Sequence, residues 1–183
     1  MIRYYLRNPE WSLERKTDGA SGYDLRADLH VDGDKAIVTD GVDIGLVARL
    51  NSIIIPPGGR VTIKTGLHLE MPIGVEAQVR SRSGLASKHG IVVVMGVGTV
   101  DSDYRGDVSV SLVNLDWQNG YEIKHGDRIA QLVFGSVLLG LTEDKKLPPP
   151  LFTPRATNLE RVADVDDLST TERGASGHGS TGR

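Results

Sequence analysis

Short runs of alternating apolar and polar residues, each closed by Gly, Pro or Asn, recur along the chain at spacings that suit strands and leave little room for helices. Ile53-Ile54-Ile55 runs into Pro56-Pro57-Gly58-Gly59; Val61–Thr65, Leu67–Met71 and Val75–Arg80 follow, with Pro72-Ile73-Gly74 between the last two. Gly90–Val94, Val108–Val113 and Ile129–Phe134 continue the pattern, and Asn119-Gly120 and His125-Gly126-Asp127 read as turns. A period of two sends alternate side chains to opposite faces, so each run offers one face to a core. Hydrophobic residues make up 39% of the chain but aromatics only 5%, so β-branched Val and Ile supply much of that core. The expectation is an all-β subunit: a sandwich, jelly roll or barrel. Ser83–His89, about two turns long, is the best helical candidate.

At 183 residues the chain fits one domain with appendages. The β domain is assigned to 1–139, with weakly alternating residues 29–50 read as a hairpin or surface excursion inserted between strands. Beyond Leu139 the pattern decays through Pro148-Pro149-Pro150 and an acidic run, giving a linker at 140–172 and a Gly-rich tail at 173–183 with no core of its own. Basic residues number 21 and acidic ones 24, a net charge of −3, which offers no footprint for duplex nucleic acid or an anionic membrane. Any anion must be bound by a few placed side chains. Cysteine is absent, which removes disulfides and thiolate metal sites and leaves oxygen-preferring ions such as magnesium. The N-terminus lacks an apolar run of signal-peptide length and no segment approaches a membrane span, so a soluble, cytoplasmic protein is expected.

Chemistry concentrates in Val100-Asp101-Ser102-Asp103-Tyr104-Arg105-Gly106, where two carboxylates, a ring and a cation share what reads as one tight turn. Carboxylates this close raise each other's pKa or require a cation between them. On a regular strand Asp101 and Asp103 would face opposite ways, so they are expected to do different jobs. Asp103 and Arg105 read either as a surface pair or as groups that hold the turn or neighbouring subunits in place. Arg82-Ser83-Gly84 sits where a strand hands over to the short helix, so the hydroxyl and the first backbone N–H groups would converge on an anion; an ordinary Ser cap has the same sequence. Asp24, in Ser21-Gly22-Tyr23-Asp24-Leu25, taken singly reads as a turn Asp. The tail from Arg173 to Arg183 supplies Gly, hydroxyls and a guanidinium, the materials of a phosphate-wrapping loop and equally of an inert terminus. The five His residues show no metal-ligand spacing, and no Gly-x-Ser-x-Gly or P-loop string occurs.

Taken in order, these pieces resemble the five motifs of the trimeric deoxyuridine triphosphatases, the dUTP pyrophosphatases. Ala20–Ala27 is similar to the first motif, Arg82–Ala86 to the second, Gly98–Gly106 to the third, Gly126–Leu132 to the fourth and Arg173–Gly182 to the fifth. The resemblance spans the chain apart from 29–50 and 139–172. It implies a distorted jelly-roll or β-clip-like subunit, a homotrimer with active sites shared between subunits, and a mobile C-terminal arm that closes over nucleotide. The implied reaction is hydrolysis of dUTP to dUMP and pyrophosphate, by water attacking the α-phosphorus of a triphosphate that carries magnesium.

Carried over residue by residue, Asp101 would activate the water and Tyr104 would pack under the deoxyribose, excluding a 2′-hydroxyl. Arg82, Ser83 and the Gly84 N–H would hold the phosphates around the scissile bridge, Gln131 the α-phosphate, and Asp24 the metal through water. The hairpin carrying Met95, Gly98, Thr99 and Val100 would read uracil with backbone groups, and Arg173, His178, Gly179, Ser180 and Thr181 would close over the nucleotide. The chain departs from the pattern at His178, where the family commonly has Phe, at Ser176 for Gly, at Ser81 for Pro, and at Met95 for Asn in some bacterial relatives. An imidazole stacked on uracil would gain charge near pH ~6.5, giving affinity a pH dependence that a Phe arm lacks. A dCTP deaminase or bifunctional deaminase of the same fold would need a Glu proton carrier in the base pocket, where this chain offers Asp101 and Tyr104. A nucleotide-switched regulatory protein of phage type, docking a partner through 29–50, belongs to a different class.

Overall fold

A computed structural model describes residues 1–29, 31–32, 35–36, 47–49, 51–137 and 158–176. Along the chain the strands are β1 (Ile2–Leu6), β2 (Tyr23–Arg26), β3 (Val31–Asp32), β4 (Lys35–Ala36), β5 (Val47–Arg49), β6 (Ser52–Ile55), β7 (Arg60–Lys64), β8 (Leu67–Glu70) and β9 (Val75–Arg80). Helix α1 (Ser83–His89) follows, then β10 (Ile91–Val93), β11 (Val97–Val100), β12 (Ser109–Asn114), β13 (Tyr121–Lys124), β14 (Arg128–Ser136) and β15 (Leu159–Arg161). The chain is therefore all-β with one short helix, and α1 occupies the residues that the sequence nominated.

The strands form small sheets ordered β11-β9-β14-β2, β15-β1-β8, β10-β12-β7 and β13-β6-β5, with β3-β4 a separate pair. Alternation is what buries them. In β12, Val110, Leu112 and Asn114 face inward while Ser109, Ser111 and Val113 do not. Ile53, Ile55, Ile63, Leu67, Leu112, Ile123, Ile129 and Leu132 are sealed at the centre, each contributing about 1.5–3 kcal/mol by leaving water. Buried Asn114 is satisfied: its amide donates to the Ile55 and Asn119 carbonyls, and its oxygen accepts the Asp116 N–H, which shapes the β12–β13 loop.

Most of 29–50 lies outside the described residues; within it β3 pairs antiparallel with β4, in keeping with a hairpin, and β5 pairs with β6, so that part is joined to the sheets. The region assigned as a linker contains β15, which pairs parallel with β1 and places Leu159 opposite Ile2. Val162 and Leu168 are buried behind it, and Arg161 donates to the carbonyls of Leu6, Asn8, Pro9 and Trp11. The segment has no core of its own; it borrows one, and three residues are too few to display a periodicity. No helix among the described residues is long and apolar enough to cross a membrane.

Candidate active site

The residues singled out in the sequence gather into two clusters, one at each end of β9. At the first, β9 runs out at Arg80 and the chain stays extended through Arg82, whose backbone caps α1. Ser83 is thus the first helical residue and not the cap, which leaves its hydroxyl outside the usual cap bond. Asp24 on β2 is gripped from two sides: Arg82 Nε lies 3.2 Å from one carboxylate oxygen and Arg128 Nη1 3.1 Å from the other. Arg82 Nη1 also donates to the Arg128 carbonyl at 2.9 Å. These contacts use two of the five N–H donors of Arg82. Gln131 lies opposite Asp24 in the β14–β2 register and opposite Arg80 in the β14–β9 register. Its amide donates to the Ser81 carbonyl at 3.0 Å, and Gly22 lies close beside it, where an added Cβ would press on the Gln131 side chain and force it to shift. Hollows flank this cluster, one of about 300 Å³ lined by Arg15, Lys16, Asp24, Arg26 and Arg128, the other of about 190 Å³ lined by Arg82, Leu85, Tyr121 and Arg128.

The second cluster begins where β11 ends at Val100. Asp101 to Asp103 leave the strand as a turn, so the alternation that would separate the two carboxylates does not apply. Both meet one cation: Arg173 Nη1 pairs with Asp101 and lies 3.3 Å from Asp103. That hydrogen bond to Asp101, reinforced by both negative charges, raises the Arg173 pKa. Its guanidinium also lies 5.7 Å from the centroid of the Tyr104 ring. The crowded turn thus carries the intervening cation that its charges demand, supplied from 72 positions away.

Arg105 does not partner Asp103. Its guanidinium is consumed by the carbonyls of Ser102, Leu69 and Ser169, because Asp103 is already turned toward Arg173. Backbone bonds complete the dock: Arg105 N–H donates to the Gly174 carbonyl at 2.8 Å, and Thr171 Oγ1 to the Asp103 carbonyl at 2.6 Å. The Tyr104 phenol donates to the Asp107 carbonyl at 3.2 Å, and burial together with the Asp107 charge raises its pKa, so it remains a donor at neutral pH.

Between the clusters lies the β10–β11 turn, bent at Gly96 with φ +71°. It is not the hairpin expected, since β10 pairs with β12 and β11 with β9, so the turn carries the chain from one sheet to another. Val94, Met95 and Val97 are exposed, and Gly98 packs on Val79. Strand β11 is the edge of its sheet, so alternate backbone groups along Val97–Val100 point away from β9 without a sheet partner among the described residues.

The register measures the separation of the clusters. Val97 lies opposite Arg80 and Val100 opposite Ala77, so Asp101 departs near the Glu76 end while Arg82 follows the Arg80 end. At ~3.3 Å per residue they are about 20 Å apart along the strand. A single chain does not bring Arg82, Ser83, Asp24 and Gln131 onto Asp101 and Tyr104. His178, Gly179, Ser180 and Thr181 lie outside the described residues. Sequence reasoning missed Arg128, Arg7 and Asp107, whose partners are 104, 21 and 100 positions away for Arg128–Asp24, Arg7–Asp28 and Arg7–Asp107; only the Arg within Gly126-Asp127-Arg128 carried any local signal. No group of three or more His, Asp or Glu among the described residues is placed to hold a metal.

Comparison with known proteins identifies the family. The dUTPase family model matches residues 41–148. Deoxyuridine 5′-triphosphate nucleotidohydrolase of Anaeromyxobacter sp. is 42% identical over 178 residues, covering 97% of this chain and 92% of that one. The Treponema denticola enzyme of the same name is 41% identical, covering 92% and 89%. Among solved structures, dUTPase from Streptococcus mutans superposes with a TM-score of 0.55 at 25% identity, covering 70% of this chain and 88% of that one. A mutant dUTPase from phage phi11 of S. aureus gives 0.60 at 19% identity, covering 80% and 97%, a likeness of fold. The chain belongs to the dUTPase family.

Proposed function

We propose that the protein hydrolyses dUTP to dUMP and pyrophosphate in sites assembled from two or more chains, with Asp101 as the base that activates water for attack on the α-phosphorus. One observation carries the reading: tertiary folding brings Arg173 onto the turn that carries Asp101 and Tyr104. Asp101 is half exposed, so a water and a sugar hydroxyl can reach it once phosphate draws Arg173 away. A carboxylate is a weak base for activating water, so most of the rate must come from positioning and from neutralising phosphate charge.

The Arg82 cluster supplies that neutralisation. Arg82, Ser83 and the Gly84 N–H hold the phosphates around the scissile bridge, and Gln131 the α-phosphate. Since this cluster lies about 20 Å from Asp101 on its own chain, the reading has one chain's Asp101 and Tyr104 meeting the Arg82 of another, as a homotrimer with shared sites allows. The exposed edge of β11, with Met95, Gly98, Thr99 and Val100, offers backbone groups to uracil; cytosine would leave them unmatched, a cost of about 1–3 kcal/mol. Arg173 with His178, Gly179, Ser180 and Thr181 would close over the phosphates.

Magnesium enters as part of the substrate, bound to the triphosphate, where it neutralises charge on the phosphate oxygens. Both carboxylate oxygens of Asp24 already face guanidinium groups, which fits a residue that orients metal-bound water and does not fit a direct ligand. The S. aureus phage phi11 dUTPase coordinates a structural Mg(II) ion. Steady-state pyrophosphate release from dUTP, dCTP, dTTP and UTP with magnesium tests the proposal. Strong preference for dUTP is the expected result; ammonia release from dCTP would identify a deaminase instead.

A further inference from the structure

Tyr104 owes its place to a charge cluster that no sequence motif announces. Arg7, just beyond β1, lies 2.5 Å from Asp28 and 2.6 Å from Asp107 through its two terminal nitrogens. Both carboxylates are nearly sealed, their side chains 2% and 8% exposed, so each depends on the shared guanidinium. The other Asp107 oxygen accepts the Thr65 N–H at 3.2 Å and the Gly66 N–H at 2.9 Å. Gly66 has φ +68°, and a Cβ there would come within 2.7 Å of the Asp28 carboxylate, so the close approach of these groups needs glycine.

This cluster fixes Asp107, and the Asp107 carbonyl is what the Tyr104 hydroxyl grips. Gly106 stands beneath the phenol with no room for a Cβ. The turn from Asp101 to Asp107 is thereby pinned at its far end to β1, β2 and the β7–β8 connection, while its near end leaves the β11 edge. We propose that Arg7, through Asp107, is a positioning residue that sets the height of the Tyr104 ring and so governs discrimination between deoxyribose and ribose triphosphates. The inference rests on the reading of Tyr104 as the floor under the sugar. Arg7 touches no substrate; it acts through the loop. A ring free to drop by a fraction of an ångström admits a 2′-hydroxyl, whereas the phosphates are held by other groups.

The test is the ratio of kcat/KM for dUTP to that for UTP, because any loss of folded protein cancels from the ratio. Arg7→Lys keeps the charge but cannot bridge two carboxylates as a fork; it should lower the ratio at least tenfold, chiefly by improving UTP. Asp107→Asn keeps an acceptor for Thr65 and Gly66 while losing the ion pair, and should act in the same direction; it decides the matter if Arg7→Lys fails to fold. Tyr104→Phe should lower the ratio too, and combining it with Arg7→Lys should add little, since both act on one ring. A ratio within twofold of wild type in folded Arg7→Lys or Asp107→Asn overturns the proposal. Failure of the wild-type protein to hydrolyse dUTP would instead overturn the functional reading on which it rests.

Discussion

Asp24 and Asp101 are both carboxylates beside arginines, yet they are held by different materials. Asp24 sits on a strand, with Arg128 reaching it from β14 of the same sheet and Arg82 from just past the end of β9, and its side chain is 25% exposed. Asp101 sits on a turn, 51% exposed, and its cation arrives on a C-terminal segment that borrows β1 to stay in place. Strand-borne groups are fixed by the sheet before any ligand arrives; turn-borne groups can trade one partner for another. A phosphate clamp needs the first property, since preorganised charge costs nothing at the moment of reaction. A base that must be uncovered for water needs the second.

The sharpest way to break the contrast is at Asp101. Asp101→Asn should lower kcat for dUTP by about 10²–10⁴-fold while nucleotide binding persists; undiminished pyrophosphate release would remove Asp101 from the chemistry. Arg82→Ala attacks the clamp and also strips Asp24 of one partner, so kcat/KM should fall by about 10²-fold or more. Equal kinetics for this variant and wild type would mean that the clamp is structural only. Gly106→Ala drives a methyl into the Tyr104 phenol and should cost about 1–3 kcal/mol in denaturant melts. An unchanged midpoint would show the turn to be softer than its packing indicates.

Smaller effects probe the docked segment. Burial works against the Glu70 charge, but the Ser169 N–H and the Arg3 guanidinium outweigh it, so its pKa falls below the ordinary 4.5. That contribution to docking is present above pH 4.5 and is lost as pH falls through the lowered value. The exchange protection of the Ser169 amide, measured relative to its intrinsic rate at each pH, should therefore fall on acidification, and that fall should disappear in Glu70→Gln. Arg173→Gln should weaken the dock by less than about 1 kcal/mol, because the pair is solvent-screened; protease cleavage after the segment should rise modestly in that variant and in high salt.

Much of the fold was legible because burial and strand periodicity coincide: β7, β9 and β12 each repeat apolar residues at spacing two. Helix α1 was legible from its boundaries. Strand β15 was not, since a three-residue strand takes its identity from β1 and has no pattern of its own. At the site, the motif residues were readable but their separation was not. Nothing local in Arg82 or Asp101 states that β9 holds them at opposite ends. Sequence proximity offers Arg105 as one partner for Asp103, but the carbonyls of Ser102, Leu69 and Ser169 claim that cation. Arg7 escaped notice because its carboxylates lie far along the chain, where only the folded β1–β8 edge presents them together.

Mixing two inactive variants tests the central claim most directly. Asp101→Asn and Arg82→Ala chains, refolded together in equal amounts, each supply the cluster that the other lacks. If sites are built from two chains, about a quarter of them should be complete, and dUTP-specific pyrophosphate release should recover toward that fraction of wild type. A mixture no more active than either variant alone would contradict the account.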